Sequence, residues 1–482
     1  MNTEQQGPVG ELKKLVSLVD RTGFDEFLYP VGSKSTKFQP DYKPYHNFTE
    51  ETITLPFSGS PAWGQRLTFT MPWPWQGDFL NSLTLRLKPL LWYSAEQRRH
   101  IGQEQADWVP IEPDNFWIWA KSLGQIAIER AEMEVNGVII EQFSGDWIHV
   151  WNTVSHNSST GSAYDQAFGS NPQLTFMNMH ASEDGYIYAT LPFWFAKYVN
   201  AAYPMLSCSQ FTTLRFHITL KPFKELVRKL KSPIGCGELP MGSKFDVRDY
   251  SFPFRKISTL TIDSPVPGFE SADMLCKVTH IDGPLRKAYL ESPHELLMNP
   301  VSETTFSEPL KYAINTSSQD SVKIGLPLSM ANGPIKQILF FLRRKAVEKH
   351  NDWNNYSATL AHEKDPVWNP ERPLLKRAQL LVGTAVWADE EERWWRAVPN
   401  LRMPGGVRGY GKYIYGYNFA EIPASFDPSG SLNASRADLR LNLTVNQPQN
   451  PTMENEWTVT VFCIGTNWLR FDNGLANLVF MD

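Results

Sequence analysis

Hydrophobic and polar residues alternate along much of the chain, which is the pattern of β-strands with one buried and one solvent-facing side. The clearest case lies within residues 211–220, where the apolar and polar positions are Leu214, Phe216, Ile218 and Leu220 against Arg215, His217 and Thr219. Before it, residues 191–195 read Leu-Pro-Phe-Trp-Phe, and the connection 196–210 contains an apolar stretch at 201–203. This stretch predicts one or two helical turns between two strands.

Alternating segments, together with some that are more continuously apolar, predict further strands in both halves of the chain. Those of the first half lie at residues 52–57, 66–71, 83–88, 133–135 and 138–140. Between the last two, Asn136-Gly137 is typical of a type I′ hairpin turn. Residues 145–154 then predict a short helix with Asp146 as a candidate N-cap. Those of the second half lie at residues 276–280, 284–290, 335–342, 378–387, 413–419, 438–445 and 457–461.

Each half supplies roughly eight strand candidates, the number that a jelly roll requires. A chain of 482 residues is long for a single core, so two domains are expected. The 30 Gly and 35 Pro residues are spread along the chain, which suits short strands joined by turns. The sequence therefore predicts an all-β fold of two tandem eight-stranded jelly-roll β-sandwiches, with short helices in the connecting loops and an N-terminal amphipathic arm.

The predicted divisions are an arm at residues 1–24, a first jelly roll at 25–222, a linker at 223–240 and a second jelly roll at 241–482. In the arm, Leu12, Leu15, Val16 and Val19 share one helical face, which either docks on another surface or packs on its own domain. The segment 221–231 carries five Lys and Arg residues between and beside prolines. A solvated linker explains these charges better than a nucleic-acid site, because Phe223 is the one aromatic residue among them that could stack on bases.

Composition and charge argue against several classes of protein. A net charge of −5 provides no field that would attract nucleic acid or anionic lipid. The four cysteines, at positions 208, 236, 276 and 463, form no CxxC pair or Cys/His cluster, so reduced buried thiols are expected rather than zinc or disulfides. Residues 1–6 lack the features of a secretory signal, and no apolar run approaches the roughly 20 residues that span a bilayer. We expect a soluble protein without a transmembrane segment, made in a reducing compartment, in which the six Asn-x-Ser/Thr sequons are accidental.

Three short motifs suggest chemistry, but none completes a site. His294-Glu295-Leu-Leu-Met298 lacks the second histidine of a zincin motif. The glycines of residues 405–411 do not follow the order of a dinucleotide-binding loop, and no helix pattern follows them. The acidic run 389–392 beside Trp394-Trp395 suggests a sugar-binding face, yet a solvated surface run is favoured because no second carboxylate is placed opposite. The sequence therefore predicts no catalytic, cofactor-binding or metal-binding residues, and no cofactor.

The 17 tryptophans are unusually many, and several lie in segments that read as loops. Such residues either bury against their own scaffold or act as anchors at subunit contacts. The sequence does not divide the tryptophans between these two roles.

Motifs in order along the chain resemble the double-jelly-roll major capsid proteins of nucleocytoplasmic large DNA viruses, the group that includes iridoviruses, phycodnaviruses and giant viruses. The matching segments are Thr36-Lys37-Phe38 with Tyr42 and residues 46–48, the strand–turn–strand and helix of 131–152, the 191–195 segment, residues 413–419 with 428–438, and the terminal strand at 459–469 with the Gly474 region. The loops at 107–119 and 353–368 depart from the pattern, so loop-borne surface functions do not carry over.

The resemblance implies a non-enzymatic structural protein. Its chains would form homotrimers whose six rolls make a pseudo-hexagonal capsomer, and these capsomers would tile the icosahedral shell of a virion whose proteins are made in the host cytoplasm. The implied partners are the chain itself in the trimer and in neighbouring capsomers, minor capsid and penton proteins, and proteins of an inner membrane layer, but not nucleic acid. Two alternatives stay open: a glycan-binding or glycan-cleaving β-sandwich, which would explain the tryptophans, and a minor capsid protein, which usually needs only one roll.

Overall fold

The computed structural model describes residues 46–90, 116–120, 122–156, 167, 186–230, 266, 268–306, 321–329, 333–349, 351–359, 371–406, 412–446 and 456–479. The chain divides into two compact units, Met1–Asn47 and Phe48–Asp482, and the described strands and helices belong to the second unit. The predicted arm helix at residues 11–20, Cys236 and the loops around Trp108 and Trp368 lie outside the described residues.

Twenty-three strands account for most of the described chain. They are β1 Phe48–Pro56, β2 Arg66–Thr70, β3 Phe79–Pro89, β4 Phe116–Trp119, β5 Ile128–Val135, β6 Val138–Ser144, β7 Ile187–Leu191, β8 Tyr203–Pro204, β9 Leu214–Leu220, β10 Val227–Leu230, β11 Phe269–Ile281, β12 His294–Met298, β13 Val301–Phe306, β14 Ser321–Pro327, β15 Pro334–Arg344, β16 Leu375–Val382, β17 Ala385–Glu391, β18 Ile414–Asn418, β19 Leu432–Asn433, β20 Leu439–Asn446, β21 Trp457–Gly465, β22 Asn467–Asp472 and β23 Leu475–Leu478.

The helices in this part of the chain are short and lie in the connections. The α-helices are α1 Leu123–Ile126, α2 Gly145–Ser155, α3 Trp194–Lys197, α4 Gly283–Glu291, α5 Ala346–Lys349 and α6 Glu392–Ala397. Single 3₁₀ turns lie at Met205–Ser207, Phe223–Glu225, Pro399–Arg402 and Ala434–Arg436.

Eighteen of the 23 strands form two pairs of antiparallel sheets with the same order of strands, and the others form the small sheets β10-β4 and β12-β22-β23. In the first half, the β1 sheet has the order β1-β11-β3-β7 with β8 also pairing with β3, and the β2 sheet has the order β2-β9-β5-β6. In the second half, the β13 sheet has the order β13-β21-β15-β18 with β19 also pairing with β15, and the β14 sheet has the order β14-β20-β16-β17. The match is position for position, so the two halves are two jelly rolls of one topology, as the sequence predicts.

The local sequence explains why these strands form. In β3, Leu83, Leu85 and Leu87 are buried while the residues between them are partly exposed, so one side of the strand faces the core of the first roll. In the hairpin between β5 and β6, Asn136 and Gly137 have φ angles of 53° and 84°. Two consecutive positive φ angles define the predicted type I′ turn.

In each roll, a helix follows the edge strand that ends the order of the second sheet. In the first roll α2 follows β6, and in the second roll α6 follows β17. The predicted helix at 145–154 is therefore confirmed, but Ser144 is its N-cap residue and Asp146 lies in the first turn. Asp146 instead forms an ion pair with Arg343.

Two predicted domain boundaries do not follow the strand pairing. The sequence assigns residues 241–482 to the second roll, but β11 pairs with β1 and β3 and completes the β1 sheet. The predicted linker 223–240 also starts too early in the chain, because residues 223–230 form a 3₁₀ turn and β10, which pairs with β4. Alternation within one segment does not reveal which distant strand it will pair with, so the sequence did not show that these segments pair with strands of the first half.

Three local predictions were also wrong. Residues 284–290 form α4, because Gly283-Pro284 begins a helix with proline at a position that favours helix initiation. The predicted strand 378–387 is a hairpin of β16 and β17, because Gly383, with φ of 61°, turns the chain. The apolar stretch at 201–203 runs into β8, and the helical turns of this connection lie at α3 and Met205–Ser207.

Candidate functional site at the junction of the two rolls

The central strands β15 and β21 of the β13 sheet are buried on both faces, which distinguishes this sheet from the β1 sheet. Every residue of β15 after Pro334 is buried. Phe340 faces the core of its own roll, where its ring lies 5.9 Å from that of Trp395. The next residue, Phe341, points to the opposite face and stacks on Tyr356 at 4.1 Å. This outer face is covered by the first roll, and we call the region of contact the roll junction.

Aromatic residues of α2 form the centre of the roll junction. The ring of Trp147 lies 5.2 Å from Phe462 of β21 and 5.6 Å from Trp151 in the next turn of α2. Both tryptophans are buried, and one continuous hydrophobic cluster includes them together with residues of both rolls. Burial of large aromatic side chains on this scale makes a strong contribution to holding two sheets together.

A buried ion pair lies beside these tryptophans. Glu141 of β6 and Lys197 of α3 are 3.5 Å apart, and neither side chain has exposed surface. The carboxylate of Glu141 also accepts hydrogen bonds from the backbone N–H groups of Trp194, at 2.7 Å, and Val301, at 3.1 Å. The ammonium of Lys197 donates to the carbonyl oxygen of Asn299 at 2.6 Å. Because Asn299 and Val301 flank the start of β13, the pair joins the first roll to the second.

Burial and pairing act in opposite directions on the charges of this pair. Burial raises the pKa of Glu141, and the nearby Lys197 offsets part of that shift. Burial likewise lowers the pKa of Lys197, and Glu141 offsets part of it. Each charge is therefore tolerated inside the protein because the other is present, together with the hydrogen bonds that satisfy the remaining polar atoms. The net stabilisation by such a pair is small, whereas removal of one partner leaves an uncompensated buried charge.

Two further polar contacts connect the same elements. Ser144, at the end of β6, donates from its N–H and its hydroxyl to the carboxylate of Glu303 in β13, at 2.9 and 2.7 Å. Arg343 of β15 donates to both carboxylate oxygens of Asp146 in α2, at 2.8 and 2.9 Å. Burial raises the pKa of Glu303, and its bonds from Ser144 oppose that shift. Burial would lower the pKa of Arg343, but the neighbouring Asp146 outweighs it and raises the pKa overall.

The segment predicted as a solvated linker also contributes to the junction. The ammonium of Lys221 lies 3.6 Å from the centroid of the Trp353 ring, and burial lowers the pKa of this lysine. The indole N–H of Trp353 donates to the carbonyl oxygen of Glu225 at 2.9 Å. The side-chain amide of Asn351 donates to the carbonyl oxygens of Lys224 and Val227 at 2.8 and 2.7 Å. The charge of Lys221 is therefore stabilised by a cation–π contact with Trp353 and not by exposure to solvent.

The histidine of the incomplete zincin motif makes structural contacts. His294 lies in β12, where its ring stacks on Phe471 at 5.0 Å and its Nε2 lies 3.3 Å from the hydroxyl of Ser207. These residues border an open cavity of about 200 Å³. Across the described ranges, no group of three or more His, Cys, Asp or Glu side chains is arranged to hold a metal ion. Cys208, Cys276 and Cys463 are free and buried, as expected.

The acidic run is divided between a strand and a helix. Asp389 pairs with Arg377 of β16 at 2.7 Å, and Glu392 pairs with Arg396 in α6 at 2.7 Å. Trp395 is fully buried and donates its indole N–H to the carbonyl oxygen of Ala378 at 3.0 Å. Trp395 is therefore part of the core of the second roll, and the described residues around it do not form a sugar-binding face.

The described tryptophans are divided between buried and exposed positions. Among those that read as loop residues, Trp119, Trp353 and Trp395 are buried, while Trp73 is half exposed. Trp387, at the β16–β17 hairpin, is also about half exposed. The buried residues pack their own scaffold, and the exposed ones remain candidates for contacts with other subunits.

The charged residues of the junction were not predicted from the sequence. Glu141, Lys197 and Arg343 each lie inside or directly beside an apolar segment. A charge in such a position is rarely buried unless it is paired, and this is the signal that could have identified them. Their partners lie in distant parts of the sequence, so the sequence alone did not predict which residues pair with them.

Comparison with known proteins agrees with this architecture. A family model for the major capsid protein N-terminus matches residues 36–234. A second model, for the large eukaryotic DNA virus major capsid protein, matches residues 286–477. Together the two matches span both rolls. The chain belongs to the major capsid protein family of large eukaryotic DNA viruses.

This major capsid protein is similar along its length to a curated relative and to solved structures. It is 22% identical over 468 residues to the major capsid protein of Pyramimonas orientalis virus, a match that covers 92% of this chain and 93% of the relative. A model of the PBCV-1 virus capsid superposes with a TM-score of 0.65 at 16% identity, over 93% of this chain and 100% of that one. The Faustovirus major capsid protein superposes with a TM-score of 0.63 at 12% identity, over 96% of both chains. The structural matches establish the double-jelly-roll fold.

As a major capsid protein, the chain is a component of the virion shell. Within the residues that the structure describes, no helix combines the length and the apolar character needed to cross a membrane. Its relatives are structural proteins, and the buried residues of the roll junction fit that role, because they fix two rolls against each other.

Proposed function

We propose that this major capsid protein forms homotrimers whose six rolls make a pseudo-hexagonal capsomer, and that these capsomers tile an icosahedral shell. The observation that carries the proposal is the presence of two rolls with the same strand order, joined by a buried junction. Three such chains supply six similar walls, which can close around a threefold axis through contacts between unlike surfaces of neighbouring chains.

Strand pairing supports a revised division of the chain. In this proposal the first roll extends from β1 to β11 and ends at Ile281, and the second roll begins with β12 or β13. The family match that begins at residue 286 agrees with a boundary in this region. The arm at residues 1–24 would contact neighbouring capsomers, minor capsid and penton proteins, or proteins of an inner membrane layer.

The role proposed for the chain is structural and not enzymatic. It is supported by the use of the buried charged groups in the junction, where Glu141, Lys197 and Arg343 are engaged with side-chain or backbone partners. Such groups hold the two rolls in position and are not free to act on a substrate.

Light scattering on a sizing column tests the proposal. A trimer of about 165 kDa, three copies of the 55.1 kDa chain, is expected, because ring closure by identical subunits fixes the copy number. Negative-stain images of that species should show six lobes. A protein that stays monomeric at high concentration would contradict the proposed capsomer.

A further inference from the structure

The two equivalent sheets differ in what covers their outer faces, the faces turned away from the core of their own roll. The outer face of the β13 sheet is covered by α2 of the same chain. On the β1 sheet, the outward residues Thr84, Arg86 and Lys88 of β3 and Leu275 of β11 are all partly exposed. Among the described residues, one of two topologically equivalent faces is therefore covered by a helix of the other roll, and these residues of the other face keep partial exposure.

The two equivalent helices differ in the complementary way. In α2, seven of eleven residues are buried, and they include Trp147 and Trp151. In α6, the buried residue is Trp395. Directly after α6, Val398 is 46% exposed and Leu401 is 79% exposed. One helix is covered by a sheet of the other roll, and its counterpart has no such cover within the described part of the chain.

The exposed turn after α6 is held in a fixed conformation. The side-chain amide of Asn400 donates to the carbonyl oxygen of Arg396 at 2.9 Å, and that of Asn418 donates to the carbonyl oxygen of Pro399 at 2.7 Å. Leu401 is therefore presented to solvent by a pre-organised turn. Apolar side chains displayed in this way lose little conformational freedom when a partner covers them.

We propose that α6 and the turn Pro399–Arg402 of one chain pack on the outer face of the β1 sheet of a second copy. This contact would repeat, between chains, the packing of α2 on the β13 sheet within each chain. The inference rests on the proposed homotrimer, and it names the surfaces that join its subunits. A second copy is the occupant because the contact inside the chain already shows this helix position and this sheet face fitting together.

The charges of the receiving face are compatible with burial. Arg86 pairs with Asp273 at 2.9 Å, and Lys88 pairs with Glu270 at 2.9 Å. Covering this part of the face therefore encloses charges that already have a counter-charge. Leu275, two residues after Asp273 on β11 and opposite Thr84 of β3, supplies an apolar position for Val398 or Leu401 of the neighbouring chain.

The contact joins two different surfaces, so each chain would use its helix surface on one neighbour and its sheet surface on the other. Variants of the two surfaces can therefore be tested separately and in mixture. Leu401→Glu damages the helix side, and Leu275→Glu damages the sheet side. Each variant alone should be monomeric, with a mass of 55.1 kDa, at concentrations where the unmodified protein is trimeric. An equimolar mixture of the two retains one intact pair of surfaces, so it should form a species of two chains, about 110 kDa, and should not grow further.

Val199→Glu is the matched control, because Val199 is 98% exposed and lies outside both surfaces. It should remain trimeric, and far-UV circular dichroism should show all variants folded. If Leu275→Glu does not fold, Thr84→Lys places the charge on the same face at an already polar position. Trimers in both single variants, or monomers in the mixture, would overturn the assignment of these surfaces. A monomeric unmodified protein would instead refute the proposed homotrimer.

Discussion

The buried pair of Glu141 and Lys197 gives the sharpest prediction about the roll junction. Glu141→Gln leaves the ammonium of Lys197 buried with the carbonyl oxygen of Asn299 and the rings of Trp147 and Trp151, whose centroids lie 5.5 and 5.8 Å away. Lys197→Met leaves the carboxylate with two backbone N–H donors and no counter-charge. Removing one member of a buried pair typically costs about 3–5 kcal/mol.

The double variant should cost much less than the sum of the two single variants. With Gln and Met at positions 141 and 197, no uncompensated charge remains at this pair, and the loss is confined to hydrogen bonds. At roughly 2 °C per kcal/mol, each single variant should lower the unfolding temperature by about 6–10 °C. Scanning calorimetry of the four proteins gives the coupling energy directly.

A surface pair supplies the control for this cycle. Lys345 and Glu456 lie 3.0 Å apart with both side chains substantially exposed, so breaking that pair should hardly change the unfolding temperature. If the losses at Glu141 and Lys197 add to within about 0.5 kcal/mol, the two charges do not depend on each other and the reasoning is refuted.

Three further predictions address other parts of the fold. Gly405→Ala should lower the unfolding temperature, because its Cβ would lie 2.5 Å from the carbonyl oxygen of His156 at the end of α2, whereas Gly268→Ala, with its nearest neighbour at 3.6 Å, should be tolerated. The hydrogen bond with His217 lowers the pKa of Glu134 from its ordinary value of 4.5, so this contribution to stability is complete above that pH and is lost as the pH falls through the lower native pKa. Between pH 5 and pH 3 the free energy of unfolding of the His217→Leu variant, measured by urea titration, should therefore fall less than that of the unmodified protein. Equal falls would contradict the assignment. Burial raises the pKa of the thiols of Cys276 and Cys463 to about 12, so in a Cys236→Ser background they should react with a disulfide reagent at pH 8.5 only after unfolding; rapid reaction of the native protein would show that they are accessible.

Strand positions were the part of the fold that the sequence predicted best. Where one face of a strand meets the core and the other meets solvent, as in β3 and β20, the alternation of residues records the burial directly. The apolar run 338–342 does not alternate, and in β15 these residues are buried on both faces of the sheet. In β9 the polar side was expected to be wet, yet His217 is buried between Thr68 and Glu134, because side chains of the neighbouring strands cover it.

The roll junction could not be predicted, because it depends on contacts between residues far apart in sequence. Ser144 and Glu303 are 159 positions apart, and Asp146 and Arg343 are 197 positions apart. The periodicity of a strand indicates which of its residues are buried, but it does not indicate which other segment of the chain packs against them. The equivalence of the two rolls was likewise inferred from the number of strands, and the matching strand orders became visible only with the pairing of the sheets.

The double burial of β15 has a consequence for how a shell of this protein could curve. A strand that belongs to two cores at once leaves no plane along which the two rolls can slide or hinge, since any such movement would separate Trp147 from Phe462 and Arg343 from Asp146. The two rolls then move as one rigid body. The small changes of angle that turn a flat lattice of capsomers into a closed shell must therefore occur at the contacts between capsomers.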